Sequence, residues 1–553
     1  MSNPGTPVDQ SLASPFRRRA FKWLWLGMLV ATMGAWMQGI GAQWLLIDLP
    51  NAASVVALVQ AAGATPMMLL ALPAGVLADS FDRRRLLLWV QIYLMVAAGL
   101  LAVLSYTGKM TPAILLVLTF ALGVGGAVQN PTWQSLTPEL VPRHQLRSVA
   151  RLEQISVNVG RALGPVMAGF MIAWFGVPSV FVAYALCLLT MAMALVMWRR
   201  PAAHVVHRER FLPAIRTGGR YAWNEPDVRR FLWRQMVFVV PGSVVWALLP
   251  VVANRILHVG ADLYGIMFGI VGVGAVGGAL LQGRIRALLS ANRVTWLSTI
   301  LYGVAALLVV IVPGFWASLP LALLIGAGWT LYHATLLAEM QSMLPNWVRA
   351  RAMALMTVSF TAAQVAGSLT WGALAEITGL KTTWLLACGL TVASALAARL
   401  GRLPSVDVRR VEAVGDLDEA HLLFEPDPTS GPVIVQVTYT VSDARWPRFQ
   451  RLLPRLRRAR LQTGATRWHI FRSGERAHTY VELFHVATWS EHEQQHTVRL
   501  DRATQEIEAL LADLSDPPPR SEHLLPPPSE EKEPDEPRRR RLPLRRPRRP
   551  RRR

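Results

Sequence analysis

Cysteine is nearly missing from this chain of 553 residues, which has two. Both Cys187 and Cys388 fall inside long apolar stretches, so no disulfide framework can brace the connecting loops. Charged residues are also scarce, at 17% against 52% hydrophobic residues. A composition this apolar excludes an ordinary soluble protein of this length.

Two nucleotide-binding patterns are missing as well. No Gly-x-x-x-x-Gly-Lys-Ser/Thr occurs, so the chain carries no P-loop ATPase. Gly272-Val-Gly274-Ala-Val-Gly277 has the spacing of a dinucleotide-binding turn, but it lies in an apolar stretch with no strand before it. We therefore reject this turn as a cofactor-binding loop and expect no cofactor. Because the chain carries no P-loop ATPase, any transport by it must draw on an ion gradient or on the substrate gradient.

The chain does hold many apolar stretches that approach or exceed the ~20 residues needed to cross a bilayer as a helix. Only helices and closed barrels span lipid, because backbone amides there must be satisfied internally. We therefore predict an all-α membrane protein with twelve transmembrane helices, near residues 22–47, 52–78, 86–106, 111–131, 150–175, 178–198, 231–254, 262–283, 294–312, 315–338, 350–375 and 380–400.

Basic residues are concentrated in every second loop. Residues 1–22, 79–85, 142–151, 199–234, 283–293 and 345–351 together hold twenty-four Arg and Lys, whereas the other loops hold Lys109, Arg255 and Lys381. Positive residues in short loops stay on the cytoplasmic side. The pattern predicts a multi-pass protein of the inner or plasma membrane with both termini cytoplasmic, and the first span is expected to be retained.

The net charge of +22 comes largely from these loops and from the end of the chain, where eleven Arg crowd into Arg538 to Arg553. Such a polybasic segment gains on the order of 1 kcal/mol per charge at an anionic leaflet. We therefore expect contact with anionic lipid rather than a specific nucleic-acid site. Proline runs precede these arginines, so residues 516–553 are predicted to be disordered.

Two parts of the chain repeat one another. A shift of 203 positions places residues 142–176 on 345–379 without a gap, and it superimposes three glycines: Gly164, Gly169 and Gly176 on Gly367, Gly372 and Gly379. Two parallel six-helix repeats are how major facilitator transporters are built, with substrate bound between the halves. The predicted organisation is a tail at 1–21, halves at 22–198 and 231–402 joined by a cytoplasmic linker at 199–230, a linker at 403–430, a small domain at 431–515 and the tail at 516–553.

The loop after the second span, from Gly75 through Asp79 to Arg83, Arg84 and Arg85, resembles the loop signature of the major facilitator superfamily. The sequence departs from it in having Ser80 after the aspartate and Asp82 in place of the usual glycine. The resemblance implies a gating loop, in which the Asp79 carboxylate bonds neighbouring helices or arginines in one conformer and releases them in another. A positively charged cytoplasmic turn with no gating role is the alternative.

In the fifth span, Gly160-Arg161-Ala-Leu-Gly164-Pro165 with Gly169 is similar to the Gly-x-x-x-Gly-Pro signature of drug antiporters. The small residues predict close helix packing, and Pro165 predicts a bend. An arginine inside this run resembles the branch that contains enterobactin-type siderophore exporters and macrolide efflux pumps, called transmembrane secretion effectors. Arg161 should therefore face an aqueous cavity, or pair with an acid, because a charge in the membrane is costly.

Other polar residues within the spans are candidates for the substrate cavity or for coupling, although hydrogen bonding between helices would also explain them. Gln364 occupies the repeat position of Arg161. No acid lies clearly at mid-depth, so the sequence identifies no proton-coupling carboxylate. The candidates beside Arg161 are Gln38, Gln43, Asn130, Gln134, Asn158, His333 and Gln364.

From about residue 431 the pattern changes to alternating strands and amphipathic helices. The order resembles the ferredoxin-like α+β domain of antibiotic-biosynthesis-type monooxygenases, which implies a cytoplasmic domain and a possible dimer through its sheet. His492-Glu493-Gln494-Gln495-His496 has the form of a zinc-protease motif. A zinc site needs a third ligand and an open position, and we expect neither metal nor catalytic residues here.

The sequence therefore predicts a secondary active transporter that exports a small organic molecule, such as a siderophore, an antibiotic or a drug-like compound. Proton-coupled antiport by alternating access is the expected mechanism. The alternative is a membrane-anchored enzyme or sensor that acts through the C-terminal domain.

Overall fold

The computed structural model describes residues 13–198, 219–221, 223–312, 314–400, 424, 426–497, 499 and 502–527. The chain divides into two compact units, residues 1–410 and 411–553. The predicted linkers at 199–230 and 403–430 lie mostly outside the described residues, as do the first twelve residues and the arginine-rich end.

Twelve long helices make up the described part of the first unit. They are α1 (Arg19–Trp44), α2 (Ala52–Ser80), α3 (Arg83–Tyr106), α4 (Pro112–Leu140), α5 (Leu146–Phe175), α6 (Val177–Met197), α7 (Pro226–Arg255), α8 (Ala261–Leu288), α9 (Ala291–Ile311), α10 (Phe315–Met343), α11 (Asn346–Thr378) and α12 (Leu380–Leu400).

Eleven of these helices are long and apolar enough to cross a membrane. The exception is α12, whose described apolar part, Leu380–Leu396, is shorter. At 1.5 Å per residue this part covers roughly 25 Å, against about 30 Å of hydrocarbon. The multi-pass prediction is confirmed, and α12 as the twelfth span stays a proposal.

Local sequence explains where the helices begin and turn. Asp82 accepts a hydrogen bond from the Arg85 amide at 2.9 Å and so caps the start of α3. Gly176 and Gly379 have φ angles of 78° and 85°, a left-handed conformation that favours glycine. Each turns the chain in one residue, from α5 into α6 and from α11 into α12.

The repeat in the sequence is also a repeat of helices. The bounds of α10 are those of α4 shifted by 203 residues, and the bounds of α12 are those of α6 shifted by the same number. The two glycine turns differ by 203 as well. The second half of each six-helix group therefore follows one template.

Glycines set how closely the helices of the two groups approach. A Cβ at Gly169 of α5 would lie 2.4 Å from the Ala261 carbonyl oxygen of α8, and a Cβ at Gly372 of α11 would lie 2.5 Å from the Ala57 Cβ of α2. Gly272 on α8 likewise faces the Ala162 backbone on α5. Helix packing thus accounts for the Gly-x-Gly run that we rejected as a cofactor loop.

The packing partners follow the same pattern on both sides. In the first group α5 packs against α1 and α8, and in the second group α11 packs against α7 and α2. Gly164 meets Trp36 of α1, and its repeat partner Gly367 meets the Val240 carbonyl oxygen of α7. Each of α5 and α11 therefore joins its own group to the other.

We call the end of the bundle that carries the turns before Arg83, Leu146 and Ala291 the basic end, and the other the opposite end. The two groups bond across the opposite end. Arg255 at the end of α7 donates to the Leu49 carbonyl oxygen at 2.5 Å, and the Ser54 amide of α2 donates to Glu376 Oε1 of α11 at 3.1 Å.

The second unit has the element order β-α-β-β-α-α-β. Its elements are β1 (Val433–Thr440), α13 (Trp446–Thr463), β2 (Arg467–Arg472), β3 (Thr479–Val486), α14 (Trp489–Thr497), α15 (Arg502–Leu514) and β4 (Arg520–Leu524). The strands form one antiparallel sheet in the order β2-β3-β1-β4. Alternate residues of β1 are buried in a core with Phe449, Leu456 and Leu511.

A polar network lies inside this core. Glu482 is fully buried and accepts hydrogen bonds from Tyr439 Oη at 3.0 Å, from Arg460 Nε at 3.0 Å and from Trp468 Nε1 at 2.8 Å. Three donors compensate the cost of burying the carboxylate.

The predicted end of this domain at residue 515 is wrong. Strand β4 lies inside the segment 516–553 that we predicted to be disordered, and it pairs with β1, with Leu524 opposite Ile434. The physical reason is that without β4 the strand β1 would be an edge strand with unpaired backbone groups. Residues 528–553 lie outside the described part of the chain.

We expect Gly372→Val to destabilise the first unit by roughly 1–3 kcal/mol, because the added side chain must displace Ala57. Thermal unfolding of the purified full chain in detergent measures the effect. Gly389→Val on α12 is the matched control, since a Cβ there would meet nothing within 4 Å. Equal melting temperatures for the two variants would contradict this packing.

Candidate functional site

A cavity of about 360 Å³ lies between the two helix groups. Helices α1, α2 and α5 of the first group and α7, α8, α10 and α11 of the second group contribute to its wall. The lining residues are Ala35, Trp36, Gly39, Ile40, Gln43, Gln60, Arg161, Trp246, Phe268, Trp329, Phe360 and Gln364. We call it the central cavity.

Among the residues that line the central cavity, Arg161 is the one that carries a charge. Its guanidinium lies 5.6 Å from the centre of the Trp36 ring, a distance at which a cation is attracted to the aromatic face. Its Nε is buried and has no hydrogen-bond partner among the described residues. The expectation that Arg161 faces a cavity agrees with this position.

Aromatic rings form much of the wall. Trp246 lies 5.1 Å from Trp329 and 5.7 Å from Phe268, measured between ring centres. His333 packs edge-on against Trp329 at 4.5 Å and against Phe360 at 5.0 Å. The predicted candidate His333 therefore lies behind the aromatic wall rather than in the lining.

Glutamines supply the other polar groups. Gln43 Nε2 lies 3.5 Å from Gln60 Oε1 and 3.5 Å from the Trp246 carbonyl oxygen, so its amide links both helix groups. Gln364 lines the cavity on α11, at the repeat position of Arg161. The structure thus brings together three of the eight predicted cavity residues, namely Arg161, Gln43 and Gln364.

A second cavity of about 330 Å³ lies within the first helix group, and it contains the predicted residues Gln38 and Asn130. Gln134 lies one turn further along α4 and donates to Asn130 Oδ1 at 3.1 Å. Asn158 is half-buried three residues before Arg161 and lines neither cavity. Helix α1 therefore divides the predicted polar residues between two compartments.

The residues of the predicted gating loop lie at the basic end. Arg83 makes an ion pair of 2.5 Å with Glu139 at the end of α4, and Arg84 Nε donates to the Leu195 carbonyl oxygen at 2.8 Å. The side chain of Asp79 lies outside the described residues. Arg84 thus caps the end of α6, where a cation stabilises the exposed carbonyl groups.

The second helix group has a matching ion pair. Arg286 is the residue 203 positions after Arg83, and it pairs with Glu339 near the end of α10. Arg286 also donates to the Leu289 carbonyl oxygen at 2.8 Å. Each group therefore has an arginine and an acid that hold two of its own helices together at the basic end.

Three histidines of the second unit cluster together. The His492 ring lies 4.9 Å from His496 and 4.8 Å from His523, and His492 is fully buried. Burial, together with the neighbouring His496, lowers the pKa of His492 to about 3. Burial also lowers the pKa values of His496 and His523. All three imidazoles are therefore neutral at pH 7.

The histidine motif has no metal geometry. In the described part of the chain, no group of three or more His, Cys, Asp or Glu side chains is placed to hold a metal ion. His492 Nδ1 lies 3.1 Å from Gln495 Oε1 instead, and the ring packs against Trp489. His492 is thus a buried packing residue beside the half-buried His496 and His523.

The aromatic residues that line the central cavity are absent from the residues predicted from the sequence. Trp36, Trp246, Phe268, Trp329 and Phe360 carried no signal, because tryptophan and phenylalanine are common both in helix cores and at the lipid surface. Gln60 was visible as a polar residue within a span. Its position next to Gln43 became evident only in the folded bundle.

One family profile, described as transmembrane secretion effector, matches residues 10–528. The chain is 23% identical over 291 residues to the staphyloferrin A transporter of Staphylococcus aureus, covering 52% of this chain and 73% of that protein. It is 24% identical over 398 residues to the multidrug efflux pump Tap of Mycobacterium tuberculosis, covering 69% of this chain and 93% of that protein.

Solved structures show the same fold. The crystal structure of the nucleoside transporter NupG superposes with a TM-score of 0.58 at 11% identity, covering 69% of this chain and 99% of that chain. At this identity the likeness concerns the fold alone.

The neutral histidines predict a pH dependence of stability. Folded His492 has a pKa of about 3, whereas histidine in an unfolded chain has a pKa of about 6.5. The resulting stabilisation is complete above pH ~6.5 and is lost as the pH falls toward 3, since the unfolded chain takes up protons first. At pH 5 we expect the second unit to be about 2 kcal/mol less stable than at pH 7.5.

Urea unfolding of residues 424–527 at the two pH values measures this loss. His492→Gln should reduce the difference, whereas His469→Gln, which changes an exposed histidine on β2, should leave it unchanged. A domain equally stable at both pH values would refute the argument.

Proposed function

The chain belongs to the transmembrane secretion effector family, and from this premise we propose that it exports a small organic molecule by alternating access. The family and the relatives above are transporters, so the chain is a multi-pass membrane efflux transporter of the major facilitator superfamily and not an enzyme. The proposal concerns the substrate, the energy source and the residues involved.

The central cavity is the observation that carries the proposal. It lies between two six-helix groups, and both line it. In major facilitator transporters the substrate lies between the halves near mid-membrane, and the halves rock about it. We propose that Arg161, Gln43 and Gln364 contact the substrate, and that Gln38, Asn130, Gln134, Asn158 and His333 support the cavity or the coupling step.

We further propose that both termini are cytoplasmic, so that the basic end faces the cytoplasm. The asymmetry of Arg and Lys between the two sets of loops supports this orientation. The predicted gating loop then lies on the cytoplasmic side, and Gly75, Asp79, Arg83, Arg84 and Arg85 would control access there. Packing glycines Gly160, Gly164 and Gly169, with Pro165, would let α5 move as one body.

The printed names of the relatives support a substrate class. One relative carries staphyloferrin A and the other several drugs, so we propose a siderophore, an antibiotic or a drug-like compound. We propose proton antiport as the energy source; the chain contains no P-loop motif, so ATP hydrolysis at such a motif does not supply it.

For the second unit we propose a ferredoxin-like domain similar to antibiotic-biosynthesis-type monooxygenases, which serves as a non-catalytic appendage. The element order β-α-β-β-α-α-β and the sheet order β2-β3-β1-β4 support this fold. A dimer through the sheet and a contact of the arginine-rich tail with anionic lipid remain part of the proposal.

We expect Arg161→Ala to abolish export while leaving expression and thermal stability close to wild type. The charge serves the cavity, so its loss removes substrate binding rather than packing. Arg161→Lys should restore export only in part, because the planar fork of two N–H groups is lost. Uptake and release of a dye by vesicles measure the effect, and wild-type export by the alanine variant would contradict the role of Arg161.

A chain that ends at Arg410 should still transport. It contains the whole first unit, and a non-catalytic appendage contributes nothing to the cavity. Vesicle transport by the shortened chain and by the full chain, compared at equal protein levels, tests this expectation. Complete loss of transport in the correctly folded short chain would support a sensor or enzyme role for the second unit.

A further inference from the structure

We propose that the central cavity selects an organic anion, a molecule that carries a carboxylate or similar group on an aromatic or apolar body. This inference rests on the proposed export function, because it names the class of molecule that the exporter carries.

The lining of the central cavity carries a positive charge and no negative charge. Among the residues that line the central cavity, Arg161 is charged and none is an aspartate or glutamate. The nearest acid on the same helix is Glu153, two turns away. Glu153 accepts hydrogen bonds from Trp133 Nε1 at 2.9 Å and from Thr137 Oγ1 at 3.0 Å, so it is engaged elsewhere.

Two buried arginines, Arg234 and Arg460, differ from the half-buried Arg161 in their partners. Arg234 donates to Asn292 Oδ1 at 2.7 Å and to Thr295 Oγ1 at 2.9 Å. Arg460 pairs with both Glu482 and Glu508. Both therefore have polar partners inside the protein.

Arg161 differs from them, because its buried Nε has no partner among the described residues. Its guanidinium lies 5.6 Å from the centre of the Trp36 ring, whose face attracts a cation but is not a conventional hydrogen-bond acceptor. A buried cation is stable when an anion or acceptors satisfy it. The missing acceptor is what a bound carboxylate supplies, and the flat guanidinium binds it through two parallel hydrogen bonds.

The aromatic residues of the cavity suit the apolar body of such a ligand. Rings of Trp36, Trp246, Phe268, Trp329 and Phe360 line the same cavity as Arg161, and aromatic walls of this kind stack on planar apolar groups. The indole Nε1 of Trp246 is a further buried donor without a partner in the described part of the chain. The volume of about 360 Å³ accommodates a drug-sized molecule.

Binding of two dyes tests the inference. The purified full chain is titrated with carboxyfluorescein, an anion, and with a cationic rhodamine ester that has the same ring system, and fluorescence anisotropy gives both dissociation constants. We expect the anion to bind at least tenfold more tightly than the cation. A preference for the cation, or no preference, would overturn the proposal.

Variants locate the effect. Arg161→Gln should weaken binding of carboxyfluorescein at least tenfold and leave the rhodamine unaffected. Arg293→Gln removes the same charge from an exposed position on α9 and should bind both dyes as wild type does. Equal weakening of both dyes by Arg161→Gln would mean that the residue shapes the cavity rather than selecting charge, and would also overturn the proposal.

If Arg161→Gln does not fold, a competition experiment with the wild-type protein tests whether the cavity selects anions. Naphthoate should displace carboxyfluorescein at a concentration at least tenfold below that of naphthylmethylamine, and equal displacement would refute anion selection. Vesicle transport separates this result from the proposed function. Anion-selective binding without transport upholds anion selection and contradicts export. Transport of both dyes without preference upholds export and contradicts anion selection.

Discussion

Everything in the first unit depends on how closely α5 and α11 approach helices of the other group. A Cβ at Gly169 or Gly372 would lie only 2.4 Å or 2.5 Å from an atom of α8 or α2. Because glycine has no Cβ, the two groups meet backbone to backbone at the opposite end. Arg161 lies eight residues before Gly169 on α5, so the contact that joins the groups also sets the position of the charge. Helix α5 thus carries both a glycine that packs against the other group and the arginine of the central cavity.

Charge is arranged differently at the two ends of the bundle and in its middle. At the basic end Arg83 and Arg286 are paired with acids of their own helix group. In the central cavity Arg161 has an aromatic neighbour and no acid in the lining. Ion pairs within a group stabilise that group as a rigid body. An unpaired charge between the groups is stabilised when a ligand supplies an anion or a hydrogen-bond acceptor. Arg161 thus places a charge without an acid partner in the cavity that we propose as the substrate site.

The sequence allowed the helices, the repeat and Arg161 to be predicted, because long apolar runs, matched glycines and a charge within a span are signals of local composition. It did not separate Gln43 and Gln364 from Gln38 and Asn130, because a helix that is apolar on nearly every side has no polar face to show which residues point to which cavity. The aromatic wall was hidden for a similar reason: Trp329 lines the cavity while Trp174 is exposed, and the sequence around them does not distinguish the two roles. Strand β4 was missed because three prolines precede it and its pairing partner lies about ninety residues earlier.

The contacts across the opposite end are suited to a reversible movement. The hydrogen bonds from Arg255 to Leu49 and from Ser54 to Glu376 are exposed, and exposed polar contacts of this kind contribute little net free energy because water replaces them. By contrast, the ion pairs at the basic end each lie within one group, so the movement that we propose need not break them. In the alternating access that we propose, a ligand that satisfies Arg161 in one state more fully than in the other would bias the equilibrium between the two states.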